Sequence, residues 1–200
     1  MRLIFTACLL LATFVTGCAT AIDGADAPPA AWHSTPSGNC VEIAGTYASI
    51  GLPAPDNSHS GMYSVVWPAA GSLVSMIENG ANGTYRGAAT KVLINVESPS
   101  SVKFSTIDRE GRPQQLSARK WECRGSELTT RTTLSRLNPP QDSELIEESV
   151  MRLWKSDDGA LIAENSIERA KWHADGPVTS HRTLARFYFR FVPHGAEVRQ

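Results

Sequence analysis

Two adjacent carboxylate pairs, Glu147–Glu148 and Asp157–Asp158, are the first residues whose types suggest acid–base chemistry. Two carboxyls act as a catalytic couple only when both face one site. Neighbours on a strand point to opposite faces, so solvated turn and strand-edge charges are the simpler reading. The five histidines, His33, His59, His173, His181 and His194, fall in or beside expected loops and tails with no i, i+2 or i, i+4 pairing, and surface positions are expected for them. Asp56-Asn57-Ser58-His59-Ser60 has the donors for a metal or catalytic site, but the same composition builds a loop with no ligand at all. Trp121 and Trp154 sit on expected strands, either as core or as the lining of a pocket at a barrel mouth. The chain has no G-x-S-x-G, P-loop, H-E-x-x-H, G-x-G-x-x-G or EF-hand sequence. No catalytic residue, metal or non-covalent cofactor is therefore expected.

The cysteines say more: Cys8, Cys18, Cys40 and Cys123. Met1-Arg2 is a short charged start, and Leu3 to Val15 is apolar except for Thr6, Cys8 and Thr13. That run is shorter than the roughly 20 residues needed to cross a bilayer core, and it has the layout of a secretory signal. It ends at Val15-Thr16-Gly17-Cys18, which resembles the lipobox of bacterial lipoproteins. The resemblance covers the first 18 residues. It implies that the Cys18 thiol carries a diacylglycerol, that the signal peptide is residues 1–17, and that Cys18 becomes the mature N-terminus. Each buried methylene then contributes about 0.8 kcal/mol to membrane attachment. Ala19, standing where Asp would favour the inner membrane, points to the periplasmic face of the outer membrane. Ala19-Thr20-Ala21 also offers ordinary cleavage after Ala21, which would discard Cys18 and give a secreted soluble domain.

On the lipoprotein reading, Cys8 leaves with the signal and Cys18 is acylated. Cys40 and Cys123 are then the one remaining pair, and an oxidising periplasm implies a disulfide between them. Two separate buried thiols are the alternative. Neither has a second Cys or His at metal-ligand spacing.

The chain of 200 residues holds 19 basic and 20 acidic side chains with no basic run, which argues against nucleic-acid binding. Residues 18–39, rich in Ala, Pro and Ser, read as a flexible tether with a mean reach of about 25 Å. Trp32-His33 lies within it, either without a partner or touching the domain or the membrane interface. Residues 40–193 read as one β-rich domain and 194–200 as a tail.

Within that domain, Cys40 to Tyr47, Ser64 to Pro68 and Ser72 to Ile77 are expected as strands, with turns at Asn79-Gly80 and Asn82-Gly83. Residues 91–135 alternate as a four-stranded meander, with Val92, Ile94 and Val96 on one face. Glu144 to Ser149 fits either a helical turn or the next strand. Asp158-Gly159 between Val150–Lys155 and Ala160–Glu168 is the clearest hairpin. Thr183 to Val192 alternates Ala185, Phe187, Phe189 and Phe191 against Arg186, Tyr188 and Arg190.

The fold class expected is thus all-β: an antiparallel meander of about eight or nine strands, forming a curved sheet or an up-and-down barrel. Gly45-Thr46-Tyr47 is similar to the G-x-W of lipocalin-type barrels, with Tyr for Trp. The function expected is a non-enzymatic, lipid-anchored envelope protein with an accessory, protein-interaction role. A β-barrel module for a small apolar ligand or lipid is the alternative.

Overall fold

The computed structural model describes residues 23–24, 27–33, 39–55, 71–78, 90–116, 120–137, 143–173 and 176–195. In chain order the strands are β1 (Asp23–Gly24), β2 (Gly45–Ala48), β3 (Leu52–Pro53), β4 (Lys91–Ser98), β5 (Ser101–Ile107) and β6 (Pro113–Gln115), then β7 (Glu122–Arg124), β8 (Glu127–Leu137), β9 (Ser143–Lys155), β10 (Leu161–His173) and β11 (Gly176–Phe191). One helix, α1 (Leu73–Glu78), lies between β3 and β4. Strands β2, β4, β5 and β6 form a four-stranded antiparallel sheet in that order. Strands β7 to β11 form a second antiparallel meander in sequence order.

The sheets join along one side. Ala48 N–H donates to Val192 O at 2.9 Å and His194 N–H to Thr46 O at 2.8 Å, so β2 follows the end of β11. On the other side β6 and β7 are not paired as strands, and the sheets are not closed into a barrel. The expected all-β antiparallel architecture is what the chain forms, divided between two sheets and not closed into a barrel, and the four-stranded meander expected over 91–135 is split between them at β6 and β7.

The interior face carries the core. Ala185, Phe187, Phe189 and Phe191 are all buried, as their alternation requires, and each buried ring contributes about 1.5–3 kcal/mol. Leu161, Ala163 and Ile167 of β10 and Met151 and Leu153 of β9 continue that face, and Val92, Ile94, Val96 and Phe104 meet it from the smaller sheet. The Asp158-Gly159 hairpin forms as expected. Gly159 takes φ +83°. Asp158 accepts from Ser156 Oγ at 2.6 Å and Arg190 Nη2 at 2.6 Å, which hold its carboxyl below the usual range, the serine most. Both hairpin strands are longer than their apolar alternation suggests, and Glu144 to Ser149 belongs to β9.

Two expected strands take other forms. Ser72 to Ile77 is helical, since Leu73, Val74, Ser75, Met76 and Ile77 are all buried, and a short run apolar on every side carries no period to separate helix from strand. Ser72 starts it: its hydroxyl accepts from Ser75 N at 3.3 Å. Gly71 makes room for this entry. Its φ is +70°, and a Cβ there would stand 2.7 Å from Gly51 O. Upstream, Cys40–Ile43 is a 3-10 turn capped by Asn39, with the strand beginning only at Gly45. Ser64 to Pro68, Asn79-Gly80 and Asn82-Gly83 lie outside the described residues.

Tyr47 is buried with its hydroxyl donating to Ile43 O at 2.7 Å. Burial pushes that phenol up to about 12 from 10.0. The sign follows: below pH 10 the contribution is intact, and as pH rises from 10 to about 12 the unfolded phenol ionises first and stability falls. Tyr47→Phe leaves the Ile43 carbonyl unpaired and is expected to cost about 1–3 kcal/mol at neutral pH. Its urea midpoint should decline less steeply than the parent's over that alkaline window, which titration of the two unfolding curves measures.

Candidate functional site

The outer face of the larger sheet concentrates the chain's charge. The registers place the residues in transverse rows. Thr133, Glu148, Glu168 and Thr183 form one row, and Arg131, Val150, Ser166 and Arg186 the next. Thr129, Arg152, Glu164 and Tyr188 form the third. Arg152 faces Glu164 within the third row, whereas the first row sets Glu148 beside Glu168, and arginines of the other rows reach both carboxylates.

Glu168 accepts from Arg131 Nη1 at 3.1 Å and Arg152 Nη2 at 3.4 Å. Glu148 takes a second bond from Arg131 at 3.2 Å. Glu164 binds Arg152 closely and lies 3.7 Å from Arg186 Nε. The carboxylates of Glu164 and Glu168 are deep, with side chains 10% and 6% exposed, whereas Arg131 is 42% exposed. Solvent thus meets guanidinium groups laid over buried carboxylates. Burial raises the carboxyl of Glu127, against the opposing pull of Arg152. Tyr188 is pushed up to about 12 by burial first and by the Glu164 carboxylate second.

One end of the same face is aromatic. Trp154, Ile162, Tyr188 and Ala54 form a buried cluster, with Trp32 packed on it. Trp154 and Tyr188 meet edge to face at 6.3 Å. Trp154 Nε1 donates to Trp32 O at 2.8 Å. The partnerless reading of Trp32 is therefore overturned: its ring packs on the apolar cluster of the outer face. His33 is exposed.

Ser166, whose hydroxyl donates to Val150 O and Glu168 at 3.4 Å, is fully buried and out of a substrate's reach. His194 is exposed, with Nε2 2.7 Å from Lys91 Nζ. Among the described residues no three His, Cys, Asp or Glu side chains cluster to hold a metal. Glu147 and Glu148 face opposite sides, as the strand parity predicts, and each meets its own arginine, Arg169 and Arg131.

Of the other residues singled out in the sequence, Cys40 and Cys123 form a disulfide with Cα atoms 5.8 Å apart. Trp121 is buried against Phe104, ring centroids 5.4 Å apart, and its Nε1 has no partner among the described residues. Trp154 is on the opposite face, so the two tryptophans do not line one pocket. Asp56 to Ser60, with His59, and Cys18 with the rest of the lipobox lie outside the described residues. The Arg–Glu rows were missed in sequence. Their signal was the hairpin turn itself, which fixes Arg152 opposite Glu164 once Asp158-Gly159 is placed. Set against known proteins, the chain matches no family model, no curated protein and no solved structure.

Proposed function

We propose that this chain is a non-enzymatic lipoprotein of the bacterial cell envelope. Acyl chains on Cys18 hold it at the periplasmic face of the outer membrane, and its β domain serves a protein partner in an accessory role. The observation that carries the reading is Val15-Thr16-Gly17-Cys18 at the end of the apolar run from Leu3. The Cys40–Cys123 bond supports it, because such a bond persists in an oxidising compartment. The partner surface is the outer face of the larger sheet, where Arg131 presents planar donors to carboxylate or carbonyl groups. Cys18→Ser is the test: it should abolish incorporation of radiolabelled fatty acid. Persisting label, or a mature chain beginning at Ile22, replaces this reading with a secreted soluble domain.

A second reading, a binder of a small apolar molecule, has one observation in its favour. Among the described residues Trp121 Nε1 and Asn165 Nδ2 are buried donors without acceptors, both on the interior face. Asn165 Oδ1 is already satisfied by Ser149 Oγ at 3.3 Å, so what is missing is an acceptor. A neutral apolar ligand carrying a carbonyl or ether oxygen supplies one, and so does an ordered water.

A further inference from the structure

The edge of β11 that β10 leaves free is covered by short segments. Strand β1 pairs in parallel there, Asp23 opposite Ala185 and Gly24 opposite Arg186. Strand β3 pairs antiparallel further along, Leu52 opposite Arg190 and Pro53 opposite Phe189. Trp32, beyond β1, is seated on the outer face by its carbonyl and its ring. The chain between Cys18 and the domain is therefore not free over its whole length. Asp23 lies five positions beyond Cys18, against twenty-two for Cys40. Fully extended, five residues span about 17 Å. A free lead of twenty-two would have a mean reach of about 26 Å and a contour near 75 Å.

The same edge carries the two most exposed large apolar side chains among the described residues, Leu52 at 57% and Ile50 at 49%. Nothing in the fold requires them there. Leu52 shares its register position with Arg190, on the outer face that also bears Trp154, Tyr188 and the docked Trp32. Tryptophan is a side chain suited to the water–lipid boundary. Arg182, exposed on β11, adds attraction to anionic head groups.

We infer that the β11 edge, with Ile50 and Leu52 as its apolar rim, is a membrane-contacting surface held against the bilayer by the paired Asp23–Gly24 and the docked Trp32. The inference rests on the lipid anchor at Cys18 proposed above. The short lead keeps this edge within reach of the head groups, and the rim gives it a second, weak attachment that fixes the domain's orientation. The outer-face arginines then lie to the side of the contact, open to a partner in the periplasm.

The test uses the full acylated protein in vesicles of phosphatidylethanolamine and phosphatidylglycerol doped with a phospholipid carrying a head-group diazirine. After irradiation, the peptide containing Ile50 and Leu52 should be labelled several-fold more than those covering residues 98–101 and 108–112 of the smaller sheet. Inserting twenty Gly/Ser residues between Ala19 and Thr20 should lower that label several-fold, and Leu52→Ser should lower it with the domain intact. Even labelling, or label concentrated on the smaller sheet, overturns the proposal. The mass of the N-terminal peptide in the same digest reports separately whether Cys18 is acylated. If it is not, the anchor reading fails alone. The chain expressed without residues 1–17, so that Cys18 is retained, and coupled through Cys18 to a maleimide phospholipid then tests the edge, with the same pattern supporting it and the same even labelling overturning it.

Discussion

Replacing Cys40 and Cys123 together by alanine is expected to lower the free energy of unfolding by about 4–5 kcal/mol. The bond closes a loop with a sequence separation of 83 residues, and the chain-entropy model gives a value of that size for a loop so long. Position reinforces the number. Cys40 opens the 3-10 turn before β2, in the smaller sheet's half of the chain, and Cys123 lies on β7 at the margin of the larger sheet. Strand β7 is the last strand of the larger meander and is not paired with β6, so the sulfur bridge ties that outer strand to the turn preceding β2. A domain of this size has a total stability of about 5–15 kcal/mol, so the reduced form should be marginal at 37 °C. Urea unfolding with and without reductant measures it. A midpoint shift equivalent to less than about 1 kcal/mol would show that the fold is held without the bridge.

Glu168→Ala is the second large effect. It removes a carboxylate that is 6% exposed and leaves Arg131 and Arg152 facing each other across the vacated position. Breaking a buried pair from one side costs about 3–5 kcal/mol. Arg131 and Arg152 are 42% and 28% exposed and can turn to water, which brings the expected loss down to about 2–3 kcal/mol. Arg131→Ala, removing the outermost member, should cost under about 1 kcal/mol. A double-mutant cycle between Arg152 and Glu168 should give a coupling of about 1 kcal/mol or more, and a cycle that closes to zero would mean that the rows merely coexist. Why two carboxylates are buried at all has a physical answer in the neighbouring strands: each sits beside guanidinium groups that replace its water.

Much of the fold was legible because its signals were local. The Phe187-Phe189-Phe191 alternation and the Asp158-Gly159 turn each need only a few residues to be read, and β10 and β11 followed from them. Strand ends were not legible, because β9 and β10 carry charged residues such as Glu148 and Arg169 far beyond the apolar stretch. Those charges are tolerated only through cross-strand partners, which sequence order hides. Helix α1 was misread for a different reason: a run buried on all sides has no polar face to mark a period. The Arg–Glu rows depend on register, and Trp32 on a patch that exists only after Trp154, Ile162 and Tyr188 have come together. The resemblance of Val15-Thr16-Gly17-Cys18 to a lipobox, by contrast, is a reading of sequence alone, since such a motif has its meaning in processing and not in packing.

We propose Cys18 as the acylated N-terminus of an oxidised domain. Native mass spectrometry of the protein extracted in detergent tests it in one measurement. The predicted species begins at Cys18, carries the mass of a diacylglycerol with or without a third acyl chain, and is two hydrogens lighter than the dithiol through the Cys40–Cys123 bond. A species beginning at Ile22 without lipid would contradict the anchor, and a co-purified neutral ligand would transfer the account to the binding-module reading.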